Sequence, residues 1–286
     1  MTYLDLILNM VEQLKKANQN DEVAFFLLYH FTEVESKLEF INHKTDICNE
    51  AYLCLQALQE YLVDNKPLSK ILHEETFYKL NFKVLDGVFS PRHDTEILVN
   101  EVLKFTSQKD NLDIADICSG TGIIGLSLKE NLNPNNRFYL VDLNPLAIKN
   151  IQLNAQALEL QTNLQIYQGD LFSELIARKI KLDVLVSNPP YIDKAYQLDK
   201  NVETYDPSLA LFAEDHGLDI YRKLLSDFRK VVKNPQRYLI GLEIGFDQAE
   251  AVTNLALEYL DVTKDEIHII QDYNQLDRVV IINKNF

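Results

Sequence analysis

The N-terminal quarter of the chain carries apolar residues at helical spacing. Between residues 2 and 17 the apolar positions are Leu4, Ile7, Leu8, Val11 and Leu14. Intervals of three and four residues place such side chains on one face of a helix. Two further stretches, 21–31 and 46–63, show helical patterns as well. The pattern predicts a small all-helical domain over residues 1–74.

After the helical stretches, apolar and polar residues begin to alternate along the chain. The stretch "ETFYKLNFKVLDGVF" begins at Glu75 and contains the pair Asp86-Gly87. Alternating apolar and polar residues are typical of a strand, and Asp-Gly is a common tight turn between paired strands. We therefore predict a β-hairpin over residues 75–90 that links the helical domain to the rest of the chain.

Beyond residue 111, short apolar runs alternate with helical stretches. The runs predicted as buried strands are 112–117, 137–142, 163–168, 182–187 and 237–244. Between the second and third runs, Asn144 and Pro145 are suited to the N-cap and first position of a helix. Alternating strands and helices predict a parallel, doubly wound α/β sheet over residues 91–286.

The last two apolar runs have no helix between them. They are "EIHIIQD" at 266–272 and "DRVVIINK" at 277–284. Such a pair predicts a C-terminal hairpin, so the sheet should contain seven strands, mostly parallel, with one antiparallel strand.

Composition narrows the choice of function. The 286 residues include 28 basic and 43 acidic side chains, for a net charge of −15. Nucleic-acid binders usually carry a basic patch, so we expect no direct nucleic-acid binding.

The three cysteines form no C-x-x-C and the six histidines no H-E-x-x-H, so we expect neither structural disulfides nor a metal site. No apolar run approaches the roughly 20 residues of a membrane span, and no basic leader precedes Asp5. We expect a cytoplasmic monomer.

A glycine-rich loop follows the first strand of the sheet. The stretch "DICSGTGIIG" runs from Asp116 to Gly125 and fits G-x-G-x-x-G. This pattern is also compatible with a simple tight turn, or with a dinucleotide site in which Asp142 holds a ribose. Asp116, however, would repel a pyrophosphate but suits a cationic amino group. Together with Asp170 after the third strand, the three carboxylates favour S-adenosylmethionine over NAD(P).

A second motif, "LVSNPPY", ends the fourth strand. It could be an ordinary strand-ending turn, because two prolines cannot donate ladder hydrogen bonds. The alternative is a stiff rim rich in acceptors: the Asn188 side-chain oxygen accepts one N–H of a planar –NH₂ group, and the Pro189 carbonyl accepts the other. Pro190 stiffens the rim and Tyr191 covers the planar group.

Taken together, these motifs resemble the HemK/PrmC family. The matching segments are "SPRHDTEILV" (90–99), "DICSGTGIIGLSL" (116–128), "GDLF" (169–172), "VSNPPYI" (186–192), "DPSLALFAEDHGLDIYRKLL" (206–225), "LEIGFDQ" (242–248) and "DRVV" (277–280). The resemblance implies a Rossmann-like class I methyltransferase domain. It also implies methylation of the glutamine amide in the Gly-Gly-Gln motif of peptide chain release factors, with S-adenosylmethionine as donor and S-adenosylhomocysteine as product.

The resemblance also implies residue roles. The cofactor residues are expected to be Asp116, Cys118, Ser119, Gly120, Thr121, Gly122, Asp142, Asp170, Leu171 and Asn188. The catalytic and substrate-binding residues are expected to be Asn188, Pro189, Pro190 and Tyr191, with Arg92 as a further substrate contact. Cys118 stands where the family usually has a glycine, and His93 where it usually has a proline. The helical domain matches only in pattern, and a role in substrate recognition is suspected.

Two residues and two alternative functions stay open at this point. Arg92 either orients substrate or pairs with Asp94 or Glu96. Glu243 lies at the end of the fifth strand, either at the site or as a plain cap. The chain could instead methylate adenine or cytosine amino groups in nucleic acid, or bind S-adenosylmethionine without turnover.

Overall fold

The computed structural model describes residues 2–32, 36, 49–198 and 200–286. The chain divides into two compact units, Met1–His73 and Glu74–Phe286. The first three residues of the predicted third helix, 46–48, which include Cys48, lie outside the described residues.

In the described part of the first unit, all regular secondary structure is helical. Its helices are α1 (Tyr3–Lys16), α2 (Glu22–Phe31), α3 (Asn49–Val63) and α4 (Leu68–Leu72). A capping box starts α1, where the Asp5 N–H donates to Thr2 Oγ1 and the Thr2 N–H donates back to Asp5 Oδ2.

The buried face of α1 differs from the predicted one. Leu4 and Leu8 are 45% and 59% exposed, whereas Leu6 and Met10 are fully buried with Ile7 and Leu14. The helix carries apolar residues on more than one face. Packing against α2 and α3 decides which of them is covered.

The hairpin turn lies at Tyr78 and Lys79, not at Asp86 and Gly87 as the sequence pattern predicts. Strands β1 (Glu74–Phe77) and β2 (Leu80–Lys83) pair with two residues between them. Both turn residues have positive φ, 49° and 63°, as a two-residue type I′ turn requires. The Tyr78 N–H donates to Glu96 Oε1 at 2.8 Å, so a tertiary contact holds a turn that the residue types do not favour.

The second unit contains the predicted seven-stranded sheet. Its strands are β3 (Asp113–Ile117), β4 (Arg137–Asp142), β5 (Leu164–Gln168), β6 (Val184–Ser187), β9 (Tyr238–Glu243), β10 (Ile267–Gln271) and β11 (Asp277–Lys284). The spatial order is β10-β11-β9-β6-β3-β4-β5. Only β11 pairs antiparallel with its two neighbours, which confirms the predicted terminal hairpin.

Helices alternate with the strands of the second unit, and several of them pack on the sheet. The helices are α5 (Glu96–Thr106), α6 (Ile123–Asn131), α7 (Pro145–Ala157), α8 (Ser173–Ala177), α9 (Lys200–Tyr205), α10 (Ser208–Leu211), α11 (Asp219–Asp227) and α12 (Ala249–Tyr259). The predicted cap of α7 is present, because Asn144 Oδ1 accepts the Leu146 N–H at 2.9 Å. Two short strands, β7 (Ile192–Asp193) and β8 (Phe212–Ala213), form a separate parallel pair.

The packing and strand order at the centre of the sheet determine where the site lies. Along β3, Ala115 and Ile117 pack into the apolar cluster on one face of the sheet, and Ile114 packs into the cluster on the other. The chain runs from β3 to β4 on one side and returns to β6 on the other side of β3. Such a switch point opens a crevice at the carboxyl ends of the strands.

Candidate active site

A cavity of about 240 Å³ lies at this crevice. Of the residues predicted for the site, twelve line it: Arg92, Cys118, Ser119, Gly120, Thr121, Asp142, Asp170, Leu171, Asn188, Pro189, Pro190 and Tyr191. Two others, Asp116 and Gly122, do not. The fold therefore brings the glycine loop, two of the three strand-end acids and the N-P-P-Y rim to one cavity.

The glycine loop turns sharply from β3 into α6. The Ser119 N–H donates to the Val141 carbonyl, and the Gly120 N–H donates to Asp142 Oδ2 at 2.8 Å. The third glycine, Gly125, packs closely against β4, because a Cβ there would lie 2.8 Å from Leu140 Cδ1. Gly120 and Gly122 have φ of +56° and +81°, which glycine adopts without strain, so the three glycines fit the tight turn and close helix packing of a nucleotide-binding loop.

Cys118 occupies a backbone conformation that favours glycine. Its φ is +61°, in the left-handed region. Burial and the nearby carboxylates raise the pKa of its thiol, so the side chain stays protonated and is a poor nucleophile. Cys118 forms part of the cavity wall.

Asp116 lies behind the loop and not on the cavity wall. It is 1% exposed, and its Oδ2 accepts the Gly125 N–H at 2.9 Å. Its Oδ1 has no hydrogen-bond partner among the described groups. Burial raises its pKa to about 8. Through Oδ2, Asp116 therefore serves as an acceptor for the first turn of α6. Its contact with a ligand stays a prediction.

Asp142 and Asp170 lie at the ends of neighbouring strands. Both oxygens of Asp142 accept backbone N–H groups, Oδ2 from Gly120 and Oδ1 from Asn144, each at 2.8 Å. Burial raises the pKa of Asp142, and these hydrogen bonds oppose that effect. Because each carboxylate oxygen has two lone pairs, Asp142 keeps acceptor capacity toward the cavity. Asp170 is exposed at the cavity mouth.

The N-P-P-Y rim is anchored at both ends. Before it, Ser187 Oγ donates to the Ile117 carbonyl at 2.6 Å, tying β6 to β3. At its far end, the Tyr191 carbonyl accepts the Gln248 Nε2–H at 2.9 Å. Burial raises the pKa of the Tyr191 phenol, whose hydroxyl lies near Arg278. The rim is therefore fixed before any substrate arrives.

Arg92 has a partner that the sequence pattern does not suggest. Its Nη2 donates to Asp206 Oδ2 at 2.9 Å, and Asp206 Oδ1 accepts both the N–H and the hydroxyl of Ser90. Of the two alternatives left open, the structure shows an ion pair, but with Asp206 in place of Asp94 or Glu96. The role of Arg92 in orienting substrate stays a prediction. The Arg92 side chain remains 41% exposed and lines the cavity.

Sequence reasoning missed four residues that shape the site: Thr95, Asp206, Gly217 and Gln248. Thr95 lines the cavity, and its Oγ1 lies 3.5 Å from Asn188 Nδ2. All four fall in segments already quoted for the family resemblance. Their position in these segments was the sequence signal that could have marked them as site residues. The local sequence pattern does not indicate which residue each of them contacts.

Comparison with known proteins places the chain in a family. A family model described as "Methyltransferase small domain" matches residues 79–204. Release factor glutamine methyltransferase of Mycoplasma mycoides is 30% identical over 283 residues, 98% of this chain and 99% of that protein. The protein of the same name from Thermodesulfovibrio yellowstonii is 32% identical over 290 residues, 100% and 99% of the two chains. The chain belongs to the release factor glutamine methyltransferase family.

Membership in the release factor glutamine methyltransferase family confirms the resemblance seen in the sequence. A relative from Clostridium acetobutylicum is 38% identical over 217 residues, 75% of this chain and 74% of that one. Among solved structures, SMU.776 complexed with SAH has a TM-score of 0.50 and 14% identity, covering 70% of this chain and 52% of that chain. That likeness concerns the fold alone.

Within residues 2–32, 36, 49–198 and 200–286, no three His, Cys, Asp or Glu side chains are grouped as metal ligands would be. Over the same described residues, every helix is too short or too polar to cross a bilayer.

Proposed function

We propose that this chain transfers a methyl group from S-adenosylmethionine to the side-chain amide nitrogen of the glutamine in the Gly-Gly-Gln motif of a peptide chain release factor. One observation carries the proposal beyond family membership. The acceptor-rich rim, Asn188 to Tyr191, lines the same cavity as Asp142 and Asp170. An acceptor amide and a nucleoside donor can therefore meet in one place.

The donor set of the cavity fits S-adenosylmethionine. Asp142, held by two backbone N–H groups, offers lone pairs to the hydroxyls of a ribose. Asp170 and the backbone at Leu171 lie at the next strand end, where an adenine amino group needs an acceptor. The walls between them include apolar side chains, among them Ile123 and Ala147, against which an adenine can stack. When bound, S-adenosylmethionine supplies a methyl group made electrophilic by its sulfonium.

The rim orients the acceptor nitrogen. A carboxamide nitrogen is a poor nucleophile because its lone pair is delocalised into the carbonyl. Asn188 Oδ1 accepts one N–H and the Pro189 carbonyl accepts the other, which turns the lone pair toward the methyl carbon. The nitrogen then bonds to the methyl carbon as the sulfonium C–S bond breaks, and one N–H proton leaves to water.

The rim acts mainly in the transition state. Positive charge develops on nitrogen as the new bond forms, so both acceptors hold it more tightly than they hold the neutral amide. Tyr191 lies beside these acceptors and packs against the sheet core, which keeps the planar amide in place. Fixing the amide in line with the methyl group is a proximity effect.

Two features support a protein as the acceptor. The net charge of −15 disfavours nucleic acid, whose binding rests on lysine and arginine contacts to phosphate. The helical unit exposes large apolar side chains, including Phe26, Tyr52 and Leu8, of the kind found at protein interfaces. We propose that this unit takes part in recognising the release factor, while the second unit binds the donor and performs the transfer.

The test is methyl transfer from labelled S-adenosylmethionine to a purified release factor. We expect labelling, and we expect none when the glutamine of the Gly-Gly-Gln loop is changed to alanine. Asn188→Ala should lower turnover by about 10²–10³-fold, comparable to removing one oxyanion-type contact. Asn135→Ala, an exposed asparagine near the amino end of β4, should leave turnover unchanged. Methylation of adenine or cytosine in RNA or DNA, with the release factor unlabelled, would overturn the proposal.

A further inference from the structure

Glu243 is a buried carboxyl to which the proposed mechanism gives no role. It ends β9 and is 2% exposed. Its neighbour Leu242 pairs with Ser187 of β6, so Glu243 and Asn188 occupy the next positions on two adjacent parallel strands. Burying a carboxyl is costly unless it is paired or hydrogen-bonded, so its contacts need an explanation.

Two hydrogen-bond donors of the site lie beside this carboxyl. The Thr95 hydroxyl and the Asn188 side-chain amide are both close enough to lower its pKa. Thr95 Oγ1 also lies 3.5 Å from Asn188 Nδ2. Oε2 of Glu243 has no partner of its own among the described groups. The strand register and this electrostatic interaction therefore place the carboxyl next to the Asn188 side chain.

The charged and titratable groups around Glu243 come from four other elements. Arg278 on β11 attracts the carboxylate, but its guanidinium is already bonded to Asp272 Oδ2 at 3.0 Å. Asp94, before α5, repels it. Tyr191 of the rim lies close enough to interact electrostatically, and the Tyr221 hydroxyl of α11 donates to the Glu243 backbone carbonyl at 2.7 Å. Burial outweighs these contacts and raises the pKa of Glu243 to about 7.

The Asn188 amide can face its partners in two ways. One orientation presents the NH₂ group to Glu243 and the oxygen to the cavity, and the other does the reverse. An ionised carboxylate only accepts hydrogen bonds, so it selects the first orientation. An acceptor amide in the cavity needs an oxygen from Asn188, which is what this orientation provides.

We propose that Glu243, as a carboxylate, is a positioning residue that holds Asn188 Nδ2 toward β9 and thereby turns Asn188 Oδ1 toward the nitrogen to be methylated. The inference rests on the proposed function, because it assumes a planar nitrogen that donates to Asn188. Glu243 itself contacts neither substrate in this scheme. Its effect on the reaction passes through the orientation of one amide group.

The inference predicts a pH dependence with a definite sign. A protonated Glu243 can donate a hydrogen bond, so it also tolerates the reversed amide, whose NH₂ group would face the N–H of the substrate. The carboxylate form prevails above the pKa of about 7. Activity should therefore fall as pH drops through that value. In the profile of kcat/KM, which reports the free enzyme, this appears as an ascending limb.

The first experiment compares Glu243→Gln with Glu250→Gln, the same change at an exposed glutamate in α12. Glu243→Gln should lower kcat by about 10-fold to 100-fold, less than the loss of the whole Asn188 contact. It should also remove the limb near pH 7 and leave the affinity for S-adenosylmethionine unchanged. Glu250→Gln should keep both the rate and the limb. A wild-type profile without a limb near pH 7 would overturn the inference even if Glu243→Gln did not fold.

The second experiment is a double-mutant cycle with Asn188→Ala, using release factor methylation as the readout. If Glu243 acts through Asn188, Glu243→Gln should change the rate less than 2-fold or so in the Asn188→Ala background. Multiplying effects would show an independent role and overturn the inference alone. Failure of the wild-type chain to methylate the release factor would instead overturn the proposed function, and this inference with it.

Discussion

Gly217→Ala is expected to displace the N-P-P-Y rim. Gly217 has a φ of +83°, and a Cβ built there would lie 2.1 Å from the Tyr191 carbonyl oxygen and 2.6 Å from Gln248 Nε2. Ordinary contact begins at 3.4 Å, so one of the two backbones must move by about 1.3 Å. Gln248 can rotate away, but the Tyr191 carbonyl belongs to the rim and cannot.

Two costs combine in this variant. An L-residue at a left-handed φ costs about 1–2 kcal/mol, and forcing atoms into a packed site adds about 1–3 kcal/mol. We therefore expect the free energy of unfolding to fall by about 2–5 kcal/mol. A shift of the rim by about 1 Å should also lower kcat by about 10²-fold, because the acceptor nitrogen loses its alignment.

Gly87→Ala is the matched control. Gly87 has a φ of +77°, but the atom nearest to its added Cβ is the tip of Leu146, at 2.8 Å, on a side chain that is 44% exposed. This variant should show the backbone cost alone, about 1–2 kcal/mol, with kcat near that of the wild type. Urea unfolding and steady-state methylation measure both quantities. Equal stability and equal kcat for the two variants would refute the steric argument.

Two further predictions concern the acids at the strand ends. Asp142→Ala should weaken S-adenosylmethionine binding by about 1–3 kcal/mol, the scale of losing a charged hydrogen-bond partner. Asp110→Ala, the same change at an exposed site, should leave the affinity unchanged. Equal affinities of the two variants by calorimetry would show that Asp142 is not part of the donor site. Burial raises the pKa of Asp116 from 3.8 to about 8 in the folded protein. Between these two values the folded state keeps a proton that the unfolded state loses. The contribution of this proton to the free energy of unfolding therefore declines as pH rises from about 4 to about 8. Asp116→Asn should therefore gain stability relative to the wild type over that range, and a difference between the two unfolding free energies that does not vary with pH would contradict the assignment.

Much of the second unit was predictable because its signals are local. The buried strands of a parallel sheet are covered on both faces, so they read as short apolar runs such as Asp113–Ile117 and Val184–Ser187. The Asn144-Pro145 cap and the glycine loop also lie within a few residues of the structure that they specify. For the same reason, most of the predicted site residues line one cavity, since they follow strands whose carboxyl ends must meet.

Local patterns were misleading where tertiary contacts decide. At the hairpin, Tyr78 and Lys79 adopt positive φ although Asp86-Gly87 has the better turn composition, because Glu96 accepts the Tyr78 N–H. In α1 the helical period was predicted correctly, but packing with the neighbouring helices buries Leu6 and leaves Leu8 exposed. In both cases the residue types allow more than one answer.

The sequence by itself determined the order of strands and helices. It also determined the chemical groups of the site, namely the acceptor-rich rim and the acids that end the strands. Only the tertiary structure decided which groups hold that chemistry in place. Thr95 meets Asn188 across 93 positions, Asp206 meets Arg92 across 114, and Gln248 meets the Tyr191 carbonyl across 57. Such contacts depend on how the sheet and its connections pack, and no local spacing of residue types encodes them.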